Sequence, residues 1–191
     1  MGARLFTAIL PDPEVVQDLT TWLEPRREAG ADVWRWTAAE GWHLTTCFMA
    51  SVPERVVEPL VAGLDEAAAR MPAFEVRVEG GLCFPDVGRA KLLALAVTDG
   101  HEQLAALAAS CRGVASHVGA SPDGARFRGH LTLARARRGF DATRWVQLVD
   151  AFPGWTWRAS ELALVESHLS DRGSRYEVLE RFPLGAGLGL G

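Results

Sequence analysis

This chain of 191 residues has three cysteines, one lysine and no long apolar run, and each shortage excludes something. Cys47, Cys83 and Cys111 are odd in number and widely spaced, with no Cys-x-x-Cys pair. They offer neither a disulfide framework nor a zinc-binding pattern, and a reducing compartment is expected. Nothing approaches the roughly 20 apolar residues that a membrane span needs. The run from Leu5 to Leu10 is short and ends at Pro11, which is not the form of a secretory signal. A soluble, cytoplasmic protein without membrane partners, acting as a monomer, is the expectation. Lys91 is the only lysine, so arginine carries nearly all the positive charge. The net charge of −4 and pI near 5.7 argue against a broad nucleic-acid-coating surface, but leave room for a local basic site. No low-complexity block interrupts the chain, which is long enough for a substantial core.

What is present is a regular alternation of strand-like and helix-like stretches. Residues 4–10 read as a buried strand. Asp12-Pro13-Glu14 reads as a helix start, with Val15, Val16, Leu19, Trp22 and Leu23 at helical spacing until Pro25 stops them. Residues 33–37 look extended, and a second helix opens at Pro53-Glu54. Residues 74–78 alternate as a strand, with a turn or bulge at Gly80-Gly81. Residues 89–97 form the next strand, followed by a helix after Asp99-Gly100 and a turn-rich segment over 113–124. Asp141 caps a fourth helix, and two extended stretches follow over 157–167 and 175–182. Residues 1–184 are read as a single bilobal domain and 185–191 as a disordered tail.

Two stretches nearly repeat one another: Trp42-His43-Leu44-Thr45-Thr46-Cys47-Phe48 and Phe127-Arg128-Gly129-His130-Leu131-Thr132-Leu133-Ala134-Arg135. Both read as strands. Alternation puts His43 with Thr45 on one face and His130 with Thr132 on another, while Leu44, Phe48, Leu131 and Leu133 point to the apolar back. The two histidines lie 87 residues apart, as do Arg4 and Lys91, and Asp12 and Asp99. Strand, capped helix, His-Leu-Thr strand, helix and strand therefore occur twice. The predicted class is α+β: duplicated antiparallel sheets with flanking helices, related by a pseudo-two-fold about a central cleft.

Two imidazoles facing one cleft suit general acid–base catalysis, because histidine exchanges protons near neutral pH. A hydroxyl two residues beyond each, with arginines close by, suits a phosphate oxygen better than a carbonyl. The sequence spacing does not say which histidine is the acid, because the repeat makes them alike.

The doubled His-x-Thr pattern in these strand contexts resembles the 2H phosphoesterase superfamily. Within it, the chain is similar to the RNA 2′,3′-cyclic phosphodiesterases, also called 2′-5′ RNA ligases. The supporting stretches are Arg4-Leu5-Phe6-Thr7-Ala8-Ile9, Val33-Trp34-Arg35-Trp36, His130-Leu131-Thr132-Leu133-Ala134-Arg135, and Leu164-Val165-Glu166-Ser167 with Tyr176. The resemblance implies hydrolysis of an RNA terminal 2′,3′-cyclic phosphate to a 2′-phosphomonoester, without a metal or other cofactor, with reversible 2′-5′ ligation as an accompanying activity. It implies that His43 is the proton donor and His130 the proton acceptor, that Thr45 and Thr132 bind phosphate oxygens, and that Arg135 contacts phosphate or base. The partner would be an RNA or oligonucleotide end bearing the cyclic phosphate. A phosphodiesterase of small cyclic nucleotides or cyclic ADP-ribose phosphate, and a non-catalytic binder of RNA ends, are the alternatives.

The chain departs from that pattern in places. Thr46 stands where an apolar residue is usual, so a back-facing hydroxyl needs a partner, and Gly129 replaces the proline common before the second histidine. Strict alternation would put Arg135 on the back face, so reaching the cleft requires a strand end or bulge. His101, His117 and His168 are read as surface residues, and Ser167 lacks the Gly-x-Ser-x-Gly surroundings of a nucleophile.

Overall fold

The computed structural model describes residues 2–124, 126–170 and 173–187. In chain order the elements are β1 (Ala3–Ile9), α1 (Pro13–Ala29), β2 (Arg35–Trp36), β3 (Leu44–Val52), α2 (Glu54–Ala69), β4 (Phe74–Phe84), β5 (Ala90–Val97), α3 (His101–Val118), β6 (His130–Phe140), α4 (Thr143–Asp150), β7 (Trp155–Ala159), β8 (Glu161–Ser170) and β9 (Gly173–Pro183). The class is α+β, a curled antiparallel sheet with four helices among the described residues.

The strands follow the order β7-β4-β5-β6-β3-β1-β8-β9, with β2 attached to β6. That order is symmetric about the β6–β3 joint, where β5 answers β1, β4 answers β8 and β7 answers β9. The sequence repeat runs β1-α1-β3-α2-β4 and then β5-α3-β6-α4, ending in β8. In space the last strand of each repeat is exchanged: β4 pairs with β5, and β8 pairs with β1. The expected pair of sheets is therefore one continuous sheet, joined at the middle by the pair Leu44 and Leu131.

Core formation follows the apolar spacing. Val15, Leu19 and Leu23 of α1, Val56, Leu60 and Leu64 of α2, and Leu104, Leu107 and Cys111 of α3 are buried with the back of the sheet. A smaller cluster of Phe6, Ala8, Ala163 and Val165, with Phe48 and Tyr176 packed on it, lies apart from that core. Gly100 opens α3 at φ 73°, and a Cβ there would collide with the Glu75 carbonyl oxygen, so the tight entry needs glycine. No helix of the described residues is long and apolar enough to cross a membrane.

Several boundaries differ from expectation. Helix α1 continues through Pro25 to Ala29. Pro25 costs the helix only the bond to the Thr21 carbonyl, and one turn on, Arg26 donates from its guanidinium to the Trp22 carbonyl and lies 3.7 Å over the Trp22 ring. Helix α3 runs to Val118 because Ala115 is buried and Gly119, at φ 83°, ends the helix. The final extended stretches are three strands, since Ser160 separates β7 from β8. Of the tail, Gly185 and Gly187 donate to the carbonyls of Ala68 and Ala69, and residues 188–191 lie outside the described residues.

Candidate active site

The site begins at the one register pair that joins β3 to β6. Leu44 faces Leu131, and these two residues are each other's repeat equivalents, so the pseudo-two-fold axis passes between them. Continuing that antiparallel register by one residue each way would set His43 opposite Thr132 and Thr45 opposite His130. The two histidines then lie on a diagonal across the joint, close enough for His130 to act electrostatically on His43. Both leucines are fully buried, so the His–Thr units share the opposite, half-exposed face. The structure thus brings together the four residues that the sequence singled out.

Each motif strand also carries a bulge at the same place. On β3, Thr45 pairs with Ala8 and Cys47 with Thr7, leaving Thr46 without a partner of its own. On β6, Thr132 pairs with Ala94 and Ala134 with Leu93, leaving Leu133 unpaired. A bulge shifts the alternation by one, so residues beyond it change face. Leu133 and Ala134 are both buried, and Arg135 emerges exposed on the His130 face. Phe48 is turned the same way. The expectation that it would point to the apolar back is corrected: it joins the cluster of Phe6 and Tyr176, the two rings against His43. Thr46 is 3% exposed, and its hydroxyl finds the needed partner in the Thr7 hydroxyl at 2.6 Å.

The imidazoles are fixed alike. His43 Nδ1 lies 2.8 Å from the Gly41 carbonyl and His130 Nδ1 lies 2.7 Å from the Arg128 carbonyl, each two residues upstream. A carbonyl can only accept, so Nδ1 carries the hydrogen in both, and Nε2 is left for chemistry. Phe6 stacks on His43 with centroids 4.6 Å apart, and Tyr176 meets it edge-on at 5.3 Å. Phe84 packs against His130 at 4.9 Å.

These surroundings separate the two rings electrostatically. Burial pushes His43 down to about 4; the Gly41 carbonyl opposes this, while His130 and Arg135 add to it. His130 is also held below the ordinary histidine value, again by burial first, against the Arg128 carbonyl and with help from Arg135 and Arg128. Arg135 acts on both rings.

No hydrogen bond engages the Thr45 or Thr132 hydroxyls among the described residues. By Gly41 and the Tyr176 ring, a hollow of about 360 Å³ is lined by Arg35, Arg135, Arg175 and Glu40. Sequence reasoning did not place Phe84, Arg175 or the two carbonyls at the site. The carbonyls follow from backbone conformation, and the other two arrive from strands distant in the chain. Of the remaining histidines, His168 lies 3.4 Å from Glu177, and His117 is exposed. His101 is half-buried, and its Nε2 lies 3.5 Å from the Gly129 nitrogen. That N–H exists only because glycine replaces proline there.

This geometry can be set beside known proteins. The chain is 26% identical over 155 residues to a protein of Aquifex aeolicus (strain VF5) named RNA 2′,3′-cyclic phosphodiesterase, covering 79% of this chain and 82% of that one. Its fold is that of E. coli LigT in apo form, with a TM-score of 0.77 at 22% identity over 96% of this chain and 98% of that one. A Thermus thermophilus protein gives 0.73 at 25% identity, over 95% and 98%. The family model described as the 2′-5′ RNA ligase superfamily matches residues 11–171, and with both halves of the doubled motif inside that span, the chain belongs to this superfamily.

Proposed function

We propose that this protein hydrolyses the terminal 2′,3′-cyclic phosphate of RNA to a 2′-phosphomonoester, with His43 and His130 as the acid–base pair. The observation that carries the reading is the Leu44–Leu131 joint, which sets two His–Thr units on one face with their Nε2 atoms unengaged. The name of the Aquifex relative supports the substrate class.

The chemistry follows from the placement. The cyclic phosphate lies between the diagonal imidazoles, and the Thr45 and Thr132 hydroxyls donate to its non-bridging oxygens while Arg135 offsets their charge. Neutral His130 takes a proton at Nε2 from the attacking water as the new P–O bond forms. His43, protonated at Nε2, gives its proton to the departing 3′ oxygen as the P–O3′ bond breaks. The 2′ bond survives, and the product is a 2′-phosphate. An RNA 5′-hydroxyl in place of water would form a 2′-5′ linkage by the same transfers. The substrate's own negative charge raises both histidines, which lets a ring that burial keeps neutral carry its proton.

The test uses a short RNA ending in a 2′,3′-cyclic phosphate, with EDTA present. Wild type is expected to yield the 2′-phosphate, and His43→Ala and His130→Ala each to lose about 10²–10⁴-fold in kcat. Either variant retaining full activity, or a 3′-phosphate product, would overturn the assignment.

A further inference from the structure

Strands β2 and β6 carry an arrangement that the two-histidine chemistry does not use. Arg35 stands directly opposite Arg135 in their pairing, where like charges repel. Beyond Arg135, the outer end of β6 presents Arg137 and Arg138, both exposed. A hollow of about 760 Å³ opens here, lined by all four guanidinium side chains with Trp34 and Phe140. Asp32 is its one carboxylate. None of the four arginines has a hydrogen bond or ion pair among the described residues. In a chain of net charge −4, unpaired guanidinium groups at this density mark an anion-binding strip. Arg35 and Arg135 also line the hollow beside Tyr176, whose ring meets His43, so the strip leads toward the histidine pair.

We infer that this strip is a track for the phosphate backbone of a single RNA strand. The strand bearing the cyclic phosphate leaves the histidine pair past Arg135 and Arg35 and continues in the 5′ direction over Arg137 and Arg138. The inference rests on the cyclic-phosphate reading above and narrows it: the substrate is an oligonucleotide end, and a free 2′,3′-cyclic mononucleotide reaches only the cleft. Arg135 serves both parts, and Arg137 and Arg138 serve the track alone.

The experiment compares kcat/KM for 2′,3′-cyclic AMP and for a short RNA with the same terminal nucleotide, across roughly 50–200 mM salt. Each single-strand phosphate contact contributes about 0.7 to the slope of log affinity against log salt, so the RNA slope should be steeper by about 1.4 or more. The double variant Arg137→Gln/Arg138→Gln should remove about 1.4 from that slope, lowering the RNA-to-mononucleotide ratio about sevenfold at the low-salt end relative to the high. Equal slopes for the two substrates, or an unchanged ratio in the double variant, would overturn the track. Binding of the same RNA, 5′-labelled, to the His130→Ala protein by fluorescence anisotropy separates the two assignments. Binding that depends on Arg137 and Arg138 without turnover by wild type would uphold the track and sink the reaction, while turnover with no such dependence would do the reverse.

Discussion

Thr46 is the residue where the sequence looked weakest, and its environment shows what a hydroxyl on a buried face requires. It bonds to Thr7 at 2.6 Å, and Cys111 Sγ lies 3.9 Å away. Replacing either threonine by valine leaves the other hydroxyl buried with only the weak Cys111 sulfur as a partner, at a cost of about 1–3 kcal/mol, whereas replacing both should cost clearly less than the sum. Urea denaturation of the two single variants and the double variant measures this, and strict additivity would refute it. The histidines make a second prediction. Under the proposed mechanism, the free protein needs His130 neutral and His43 protonated, and burial lowers both. With His43 at about 4 and His130 held below 6.5, that form is one microstate of the singly protonated pair, so kcat/KM should fall on the alkaline side, from below about pH 6.5, as the pair loses its last proton. Toward pH 4 and below, the pair takes up a second proton and the base is lost. In kcat the alkaline limb should move upward, since bound phosphate raises both groups. A kcat/KM profile flat to pH 8 would contradict this. The residue types and their spacing could be read directly, but the depressed values could not, because they depend on the Phe6, Tyr176 and Phe84 rings brought from other strands.

The bulges decide more than any single side chain. Alternation alone assigns Arg135 to the back of β6 and Phe48 to the back of β3, and one unpaired residue in each strand reverses both. Deleting Leu133 should let β6 pair with β5 without interruption, turn Arg135 away from the cleft and lower kcat/KM on the order of 10²-fold. Activity within a factor of two, in a protein that still melts cooperatively, would show that the bulge does not position the site. Helix and strand order was legible because the apolar spacing is regular, and the need for a bulge could be deduced from Arg135 itself. The persistence of α1 past Pro25 was not legible, since a proline removes one bond of the ladder while Leu19 and Leu23 stay anchored in the core. The separation of β7 from β8 at Ser160 was also hidden. Both stretches are apolar and extended, and only their partners distinguish them: β7 pairs with β4 and β8 with β1.

Across the whole molecule, the duplication visible at an offset of 87 becomes a two-fold arrangement with its axis at Leu44 and Leu131. The symmetry is not complete. Phe48 occupies on one side the place that Arg135 takes on the other, so one pair of equivalent positions is aromatic on one side and cationic on the other. An asymmetric phosphate end, with chain on one side only, suits such a cleft. The exchange of β4 and β8 between the repeats bears on how the protein is made. During synthesis Leu5 leaves the ribosome well ahead of its partner Glu166. Until then β1 has one open edge, and the sheet beneath His43 is missing β8 and β9. A nascent chain that stalls after the first repeat therefore holds one histidine, an unpaired strand edge and no cleft, which makes it a substrate for chaperones and proteases before a site exists.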